Sequence, residues 1–187
     1  MSGMAPPQSP PRKTLEDYLA LPDPVRAELI EGELYVTPSP TSRHQEASDN
    51  LLVRLGTFVR RTGQGRMYSA PLDVHLPSGD VVQPDLIYVS HERGGIVRDW
   101  VHGVPDHLIE VVSPGNPERD RIVKRALYAK NGVPAYWIVD PKERSIELLH
   151  LEGEAFAPAG FLAGEGVLRA PTFEGLEIDL AAIFPAG

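Results

Sequence analysis

Two short apolar segments, at 107–113 and 135–140, flank a single segment with helical signals. Neither segment shows the clean apolar–polar alternation of a half-exposed strand, so both are typical of interior strands. The segment between them starts with Asn116 and Pro117 and stops at Gly132, which predicts a helix with an N-cap, a first-position proline and a terminating glycine. A strand, a crossover helix and a second strand indicate the α/β (α+β) class, with a mixed central sheet and flanking helices.

The remainder of the chain carries shorter signals of the same fold class. Apolar residues at helical spacing predict a long amphipathic helix from His44 to Arg61 that ends near Gly63. The other predicted elements are a helix at 14–19, a second helix at 23–30 with Asp23 as N-cap and Pro24 at its first position, a strand at 32–37, a hairpin of strands 66–76 and 81–90, and strands at 146–151 and 175–180.

Length and composition favour one domain over residues 14–187, with a disordered, proline-rich lead-in at 1–13. No apolar window is long enough for a membrane span, and the N-terminus lacks the apolar region of a secretory signal. Cysteine is absent, which excludes disulfides, thiolate metal sites and a cysteine nucleophile. These features together predict a cytoplasmic protein.

The formal net charge of −8 argues against strong, unaided binding to nucleic acid, because phosphate contacts supply most nonspecific affinity. A local basic patch or a metal-bridged site is compatible with that charge. Arginines 54, 60, 61 and 66 cluster around the end of the long predicted helix. They could contact a phosphate backbone, although a solvated basic helix end is the commoner case.

Two carboxylates lie inside predicted strands. Glu110 is flanked by apolar residues, and Asp85 follows Pro84 in the middle of its strand. Because proline cannot donate to a β-ladder, that strand lies at a sheet edge or breaks at Pro84. A buried carboxylate is costly unless it is paired, hydrogen-bonded or bound to a metal. Hard cations such as Mg²⁺ prefer such oxygens, so the two acids predict a metal site. The alternative is that each acid lies at a sheet edge or forms an ion pair with an arginine.

Lys124 lies in the predicted crossover helix, at the flank of its apolar face between Leu127 and Tyr128. From there it could reach inward over the strand ends. In a metal-dependent hydrolytic site, a lysine ammonium can orient the attacking water and stabilise developing negative charge. The alternative is a surface i, i+4 pair with Asp120, which would be worth a few tenths of a kcal/mol.

Several segments occur together in a defined order: AELIEGELYV, SPTSRHQ, APLDVHL, QPDLIYVS, DHLIEVVSPGN, KRALYAKNGV and AYWIVDP. As a set they resemble the Uma family of restriction-endonuclease-like proteins, which belongs to the PD-(D/E)xK nuclease superfamily. The resemblance covers about residues 14–150, with a weaker echo in FEGLEIDLAAIF. It implies a restriction-endonuclease-like fold.

By this resemblance, Asp85 completes the "PD" pair and Glu110 is the second acid, so both would bind the metal. The chain departs from the superfamily pattern at Val112, which stands where the usual lysine would be. In the Uma family the lysine is thought to come from the following helix, which implies Lys124. Asp73, in the APLDVHL segment, is a further candidate for the same cleft.

The superfamily often adds a glutamate from an early helix to the active site. Glu28 fits best, at the end of the helix predicted at 23–30, while Glu31 and Glu33 are rival positions. His44 matches a histidine of the family motif, and its role is a substrate contact or a helix-start hydrogen bond. Ser113 ends the Glu110 strand, where it could contact substrate and shape the turn.

The resulting expectation is an Mg²⁺- or Mn²⁺-dependent endonuclease that acts on nucleic acid, with DNA as the expected polymer. One alternative is a catalytically inactive, nuclease-derived binding or assembly module, which the acidic charge and the missing in-line lysine favour. Another is a hydrolase of small phosphorylated molecules. Apolar C-terminal strands suggest a homo-oligomer. Signals for zinc sites, nucleotide-binding loops and serine hydrolases are absent from the sequence.

Overall fold

The computed structural model describes residues 11–22 and 25–185, which form three β-sheets and several helices. Its helices are α1 (Leu15–Leu19), α2 (Ser42–Thr62), a π-helical segment (Arg119–Lys124), α3 (Arg125–Lys130) and α4 (Leu180–Ile183), with a 3₁₀ turn at Gly94–Ile96. Its strands are β1 (Ala27–Ile30), β2 (Glu33–Val36), β3 (Gly65–Ser69), β4 (Val74–His75), β5 (Val81–Val82), β6 (Leu86–Ser90), β7 (Val101–His102), β8 (His107–Val111), β9 (Ala135–Asp140), β10 (Ser145–Glu152), β11 (Ala155–Ala163), β12 (Val167–Ala170) and β13 (Phe173–Asp179).

The central sheet has six strands in the order β11-β10-β9-β8-β6-β3. Strands β8 and β9 are parallel neighbours, joined by the π-helical segment and α3, which confirms the predicted crossover. The other pairs in this sheet are antiparallel, so the sheet is mixed, as the sequence predicts. A second sheet, in the order β2-β1-β5-β4-β7, packs beside it, and β12 and β13 form a separate hairpin.

Alternate residues of β8 and the position after it supply two hydrophobic cores, one on each face of the central sheet. Ile109 and Val111 pack in the core that includes α2 and the β12–β13 hairpin. Leu108 and Val112 pack in the core that includes α3 and the second sheet. Because side chains alternate between the faces of a strand, Glu110 shares the face of Leu108 and Val112. The carboxylate therefore lies beneath the crossover helix and the second sheet.

The predicted hairpin of residues 66–76 and 81–90 is confirmed, but both of its strands break and divide between the two sheets. The outer pieces, β3 and β6, pair in the central sheet, and the inner pieces, β4 and β5, pair in the second sheet. The second break contains Pro84, where the sequence predicts an edge or an interruption. This switch between sheets brings Asp85 to the junction where the sheets meet.

The helix predicted at 23–30 is wrong in the part that the structure describes. Ala27–Ile30 is strand β1, fully buried, and it pairs with β2 through a tight turn in which Glu31 and Gly32 both have positive φ. Pairing with β2 on one side and β5 on the other overrides the local helical signals. Asp23 and Pro24, its predicted start, lie outside the described residues, as do residues 1–10 of the predicted lead-in.

The other helical predictions are confirmed with small shifts of their ends. Thr14 caps α1, and Thr41 caps α2 by accepting the backbone N–H of His44. Gly63 ends α2 in the left-handed conformation, where glycine has no Cβ to strain. Within the described chain, none of the helices combines the length and the apolarity that crossing a membrane requires.

His107, at the start of β8, is a fully buried polar residue outside any site. Its ring stacks on Phe173 with centroids 5.4 Å apart and meets Trp137 edge-on at 4.6 Å. Neither ring nitrogen has a hydrogen-bond partner among the described residues. Burial disfavours the charged form and lowers the pKa of His107 from its usual 6.5 to about 3.

We expect His107 to make the protein acid-sensitive. Below pH 6.5 the unfolded chain binds a proton that the folded protein refuses, so stability falls as the pH drops toward 3, by about 1.4 kcal/mol per pH unit. In His107→Leu this contribution is absent. Urea unfolding at pH 7, 6 and 5 checks this. The free energy of unfolding of the variant should increase relative to that of the wild type as the pH falls. A difference between the two proteins that does not change with pH would contradict the expectation.

Candidate functional site

One cleft of about 110 Å³, at the junction of the two sheets, collects the principal predicted site residues. The second sheet contributes one wall, and the central sheet, the start of α2 and the crossover helix contribute the others. The predicted residues that line this cleft are Glu28, His44, Asp85, Glu110, Ser113 and Lys124. Residues that are distant in sequence therefore converge on one place.

Lys124 is the centre of this cluster. Its Nζ lies 2.8 Å from Glu28 Oε1 and 2.9 Å from Glu110 Oε1, and these three side chains are only 2–4% exposed. Asp120, the predicted i, i+4 partner, is farther away, with its Oδ1 at 3.9 Å. The inward reach expected for Lys124 is thus present, and it ties the crossover helix to one strand of each sheet.

An unusual helical winding presents Lys124 to the cleft. The crossover helix has a proline, Pro117, at its first position, as predicted, and residues 119–124 then adopt a π-helical conformation. Such segments are rare and are often found at functional sites. The hydroxyl of Tyr136 donates to the carbonyl of Asp120 at 2.9 Å, so a side chain takes part in the hydrogen bonding of this widened turn. Both Asp120 and Lys124 are buried.

Asp85 lies in the strand break opposite Glu110, just before β6. Its Oδ2 accepts the backbone N–H of Val111 at 2.7 Å and lies 3.3 Å from His44 Nε2. Burial alone would lower the pKa of His44, but the hydrogen bond and the charge of Asp85 outweigh it and raise that pKa above its usual value. The side chain of His44 therefore pairs with Asp85, while its backbone N–H donates the helix-start hydrogen bond to Thr41.

Of the three candidate glutamates, only Glu28 reaches the cluster. It does so from strand β1, which corrects the expectation of an early helix. Its Oε1 also accepts the backbone N–H of Gln83 at 2.9 Å. Glu31 is exposed and pairs with Lys130, and Glu33 accepts the hydroxyl of Tyr35 at the surface.

Two polar residues near the cluster escaped the sequence analysis. The hydroxyl of Tyr128 donates to Glu110 Oε1 at 2.6 Å, and the side-chain amide of Gln83 donates to Asp73 at 2.8 Å. Tyr128 follows Lys124 by one helical turn, and this spacing in the sequence could have indicated that both side chains lie on the same face of the helix. The carboxylate of Asp73 accepts hydrogen bonds from Gln83 and Tyr18. Asp73 does not line the cleft, so it lies outside the site. Arg60, Arg61 and Arg66 are exposed and do not line the cleft either.

The cluster contains more negative than positive charge. The carboxylates of Glu28, Glu110 and Asp120 face the single ammonium of Lys124, all buried. Burial raises the pKa of Glu110 well above its usual range, against the opposing charge of Lys124, and it raises the pKa of Asp120 in the same way. Burial would lower the pKa of Lys124, but the surrounding carboxylates more than reverse this and raise it. All three pKa shifts favour the protonated form, as expected where the carboxylates outnumber the positive charges beside them.

The donor chemistry of the cleft fits a hard divalent cation. Among the described residues, no donor bonds Asp85 Oδ1 or Glu110 Oε2, so each acid keeps one oxygen available. No group of three His, Cys, Asp or Glu side chains in the described chain is arranged to hold a metal by itself. Mg²⁺ needs less, because it usually takes one or two carboxylates and completes its shell with water and substrate phosphates. Asp85 and Glu110 are the residues that would hold it.

Comparisons with known proteins agree with this fold. A family model, Uma2, described as "Putative restriction endonuclease", matches residues 15–181. A crystal structure described as "a putative nuclease belonging to DUF820 from Anabaena variabilis ATCC 29413" is similar, with a TM-score of 0.76 and 19% identity, and the match covers 91% of this chain and 97% of that chain. No curated protein matches the chain. The structural similarity confirms the predicted mixed α+β, restriction-endonuclease-like fold.

The excess of buried negative charge leads to a prediction about stability. We expect Glu110→Gln to raise the free energy of unfolding of the metal-free protein by about 0.5–2 kcal/mol, because glutamine keeps acceptors for Lys124 and Tyr128 without the charge. Urea unfolding at pH 7 with a chelator measures this.

Asp80→Asn is the matched control, because Asp80 is a buried carboxylate outside the cleft that accepts the backbone N–H of Glu31. This substitution should lower stability by roughly 1–3 kcal/mol. Lys124→Met, which leaves three buried carboxylates without their cation, should lower it by about 3–5 kcal/mol. A Glu110→Gln protein as destabilised as Lys124→Met would show that the cluster is a structural ion pair.

Proposed function

The chain belongs to the Uma2 family, and on that premise we propose that it is a metal-dependent nuclease that hydrolyses phosphodiester bonds of nucleic acid, with DNA as the expected polymer. The observation that carries the proposal is the convergence of Lys124 with Glu110 and Glu28, in the cleft that Asp85 also lines. The fold alone does not require a lysine and several acids to be buried together. Replacing a buried ion pair by well-packed apolar residues of similar volume often leaves stability unchanged or increases it.

In this proposal Asp85 and Glu110 are the residues that would hold Mg²⁺ or Mn²⁺, since each keeps a carboxylate oxygen that accepts no hydrogen bond within the described chain. When bound, the ion lowers the pKa of its water and offsets negative charge on the phosphate. His44 and the backbone N–H of Val111 fix the orientation of Asp85. Tyr128 fixes that of Glu110.

Lys124 acts on the attacking water and on the developing negative charge. A lysine ammonium has three N–H donors, and two of them are directed at Glu28 and Glu110. The third remains for the water or a phosphate oxygen. The raised pKa keeps Lys124 cationic at neutral pH, so it serves as an electrostatic and positioning group and does not act as a general base.

Substitution of the cluster should abolish cleavage. With Mg²⁺ or Mn²⁺ we expect the purified protein to cleave at least one of plasmid DNA, linear duplex, single-stranded DNA and RNA. Asp85→Asn, Glu110→Gln and Lys124→Met should each reduce the rate by about 100-fold or more, because each removes a group that stabilises the transition state. Gel assays with single-turnover rates measure this.

Asp106→Asn is the matched control, since Asp106 bonds Ser90 and pairs with Arg93 outside the cleft. Its rate should stay within about threefold of the wild-type rate, because the substitution lies outside the cleft and keeps the shape of the side chain. The proposal is wrong if no polymer is cleaved with either metal, or if Asp85→Asn cleaves as fast as the wild type.

The second candidate is a catalytically inactive binding or assembly module. One observation favours it: Lys124 already closes an ion-pair network with Glu28 and Glu110, and the described residues contain no three-ligand metal group. The two candidates differ in metal binding. Only the nuclease requires a divalent cation at Asp85 and Glu110.

Calorimetry with Mn²⁺ distinguishes the two candidates. For the nuclease we expect binding at one site that disappears in Asp85→Asn and in Glu110→Gln, with protons released at pH 6–7. The release follows from the raised pKa of Glu110, which the cation brings back down. Titrations in two buffers of different ionisation enthalpy measure it. No heat dependent on the two acids would favour the inactive module.

A further inference from the structure

Buried polar atoms without partners are concentrated at the cleft. Eight side-chain nitrogen or oxygen atoms in the described part of the chain are buried and make no hydrogen bond. Five of them belong to residues that line this one cleft: Arg26, Thr37, His44, Gln83 and Arg119. Such atoms are costly, so a cluster of them around a single opening indicates groups that a ligand satisfies.

Three of the five are hydrogen-bond donors without a matching acid. Arg26 Nε, Thr37 Oγ1 and Arg119 Nε are all buried and unbonded. Within the described chain, no carboxylate lies within 4.0 Å of either guanidinium, whereas Arg93, Arg121, Arg125 and Arg169 each form an ion pair. Two guanidinium groups and a hydroxyl around one space fit a phosphate, which accepts several charge-assisted hydrogen bonds.

These three donors, together called the donor wall, belong to the β1–β2 hairpin and to the π-helical segment, which meet where Arg119 covers Tyr35. Arg26 precedes β1, and its carbonyl accepts the backbone N–H of Thr37 at 2.9 Å, so the two residues face each other across the β1–β2 hairpin. Tyr35 lies two residues before Thr37, and the guanidinium of Arg119 stacks over its ring at 6.0 Å. This contact orients a planar cation that has no acid partner among the described residues.

The donor wall is beside the acid cluster but distinct from it. Along β1, Arg26 stands two residues before Glu28, about 7 Å away on the same face of the strand. Arg119 stands next to Asp120 in the π-helical segment. If a metal bound to Asp85 and Glu110 held a phosphate beside Lys124, the guanidinium groups of Arg26 and Arg119 would therefore lie close to that phosphate.

We infer that Arg26, Thr37 and Arg119 form a subsite for a second phosphate of the substrate, next to the phosphate that is cleaved. This inference rests on the proposed function and narrows it: the substrate is a polynucleotide with at least two successive phosphates. Mononucleotides and small phosphate esters cannot fill both positions. In a chain of net charge −8, the subsite also supplies the local positive charge that a polyanion needs.

The first experiment measures binding without cleavage. Fluorescence anisotropy with a labelled single-stranded 12-mer, without divalent cations, compares wild type, Arg26→Gln/Arg119→Gln and the matched control Arg60→Gln/Arg61→Gln, which removes the same charge from the exposed end of α2. We expect the cleft variant to weaken binding about 10-fold or more and to reduce the salt slope by about 0.7, the value for one lost phosphate contact on a single strand. The control should change affinity by less than about threefold. Equal losses in both variants, or none in the cleft variant, would overturn the subsite.

The second experiment separates the subsite from the proposed function. With Mg²⁺ or Mn²⁺, the cleft variant should hydrolyse bis(p-nitrophenyl) phosphate, which has one phosphodiester, at the wild-type rate. On the oligonucleotide its KM should rise about 10-fold with little change in kcat, the pattern of lost ground-state binding. Equal loss on both substrates would overturn the inference, because the arginines would then act on the cleaved phosphate.

Failure of the nuclease proposal can be distinguished from failure of the subsite inference. If the wild type cleaves nothing, the nuclease proposal fails, and the anisotropy comparison still decides whether the cleft binds a polyanion. If the glutamine variant does not fold, Arg26→Lys/Arg119→Lys takes its place. Lysine keeps the charge and loses the planar fork, so we expect the wild-type salt slope with weaker binding. A reduced slope in the lysine variant would contradict the inference.

Discussion

The buried ion pair between Lys124 and two glutamates is the interaction on which the rest of the site depends. Glu28 belongs to the second sheet, Glu110 to the central sheet and Lys124 to the helical segment that connects β8 to β9. A charge that has been removed from water must be paired closely, so the three elements can pack only where these groups meet. The same contact that fixes the relative position of the two sheets thus creates the cleft. Asp85 joins it because its strand breaks at this junction and passes from one sheet to the other.

The cleft is poorly balanced as a purely structural feature. Its acid side has three carboxylates for one ammonium, and its other wall has guanidinium groups without a carboxylate within reach in the described chain. A fold selected for stability alone would place these opposite charges together and neutralise both. Keeping them apart costs free energy, and functional sites are where such costs persist. A divalent cation on the acid side and a phosphate chain along the donor wall would neutralise both in one complex.

Much of this arrangement follows from the sequence, and the exceptions have physical causes. Patterns confined to one element were sufficient: the apolar strands around Glu110, the crossover helix and the inward flank of Lys124. The error at 23–30 arose because four residues with helical signals find β-partners on both sides, which no local pattern records. Glu28 was nevertheless the preferred candidate, since the resemblance implies a glutamate in this part of the chain, although the helix expected to carry it is strand β1. Arg26 and Arg119 were missed because an unpaired arginine can be recognised only when its surroundings are known.

The position of Val112 shows how the fold accommodates a lysine that is not in line with the second acid. Two residues apart on a strand, Glu110 and Val112 point to the same face, so a lysine at 112 would also face the crossover helix. That space is filled: Val112 is 6% exposed and packs in the core with Leu127 and Tyr128. Lys124 projects from the helix that covers this face, and its Nζ reaches Glu110 from the opposite direction. The ammonium therefore occupies the region that an in-line lysine would serve, while the strand gains an apolar contact. The placement of this ammonium beside Glu110 therefore depends on the crossover helix and β8 meeting at this site.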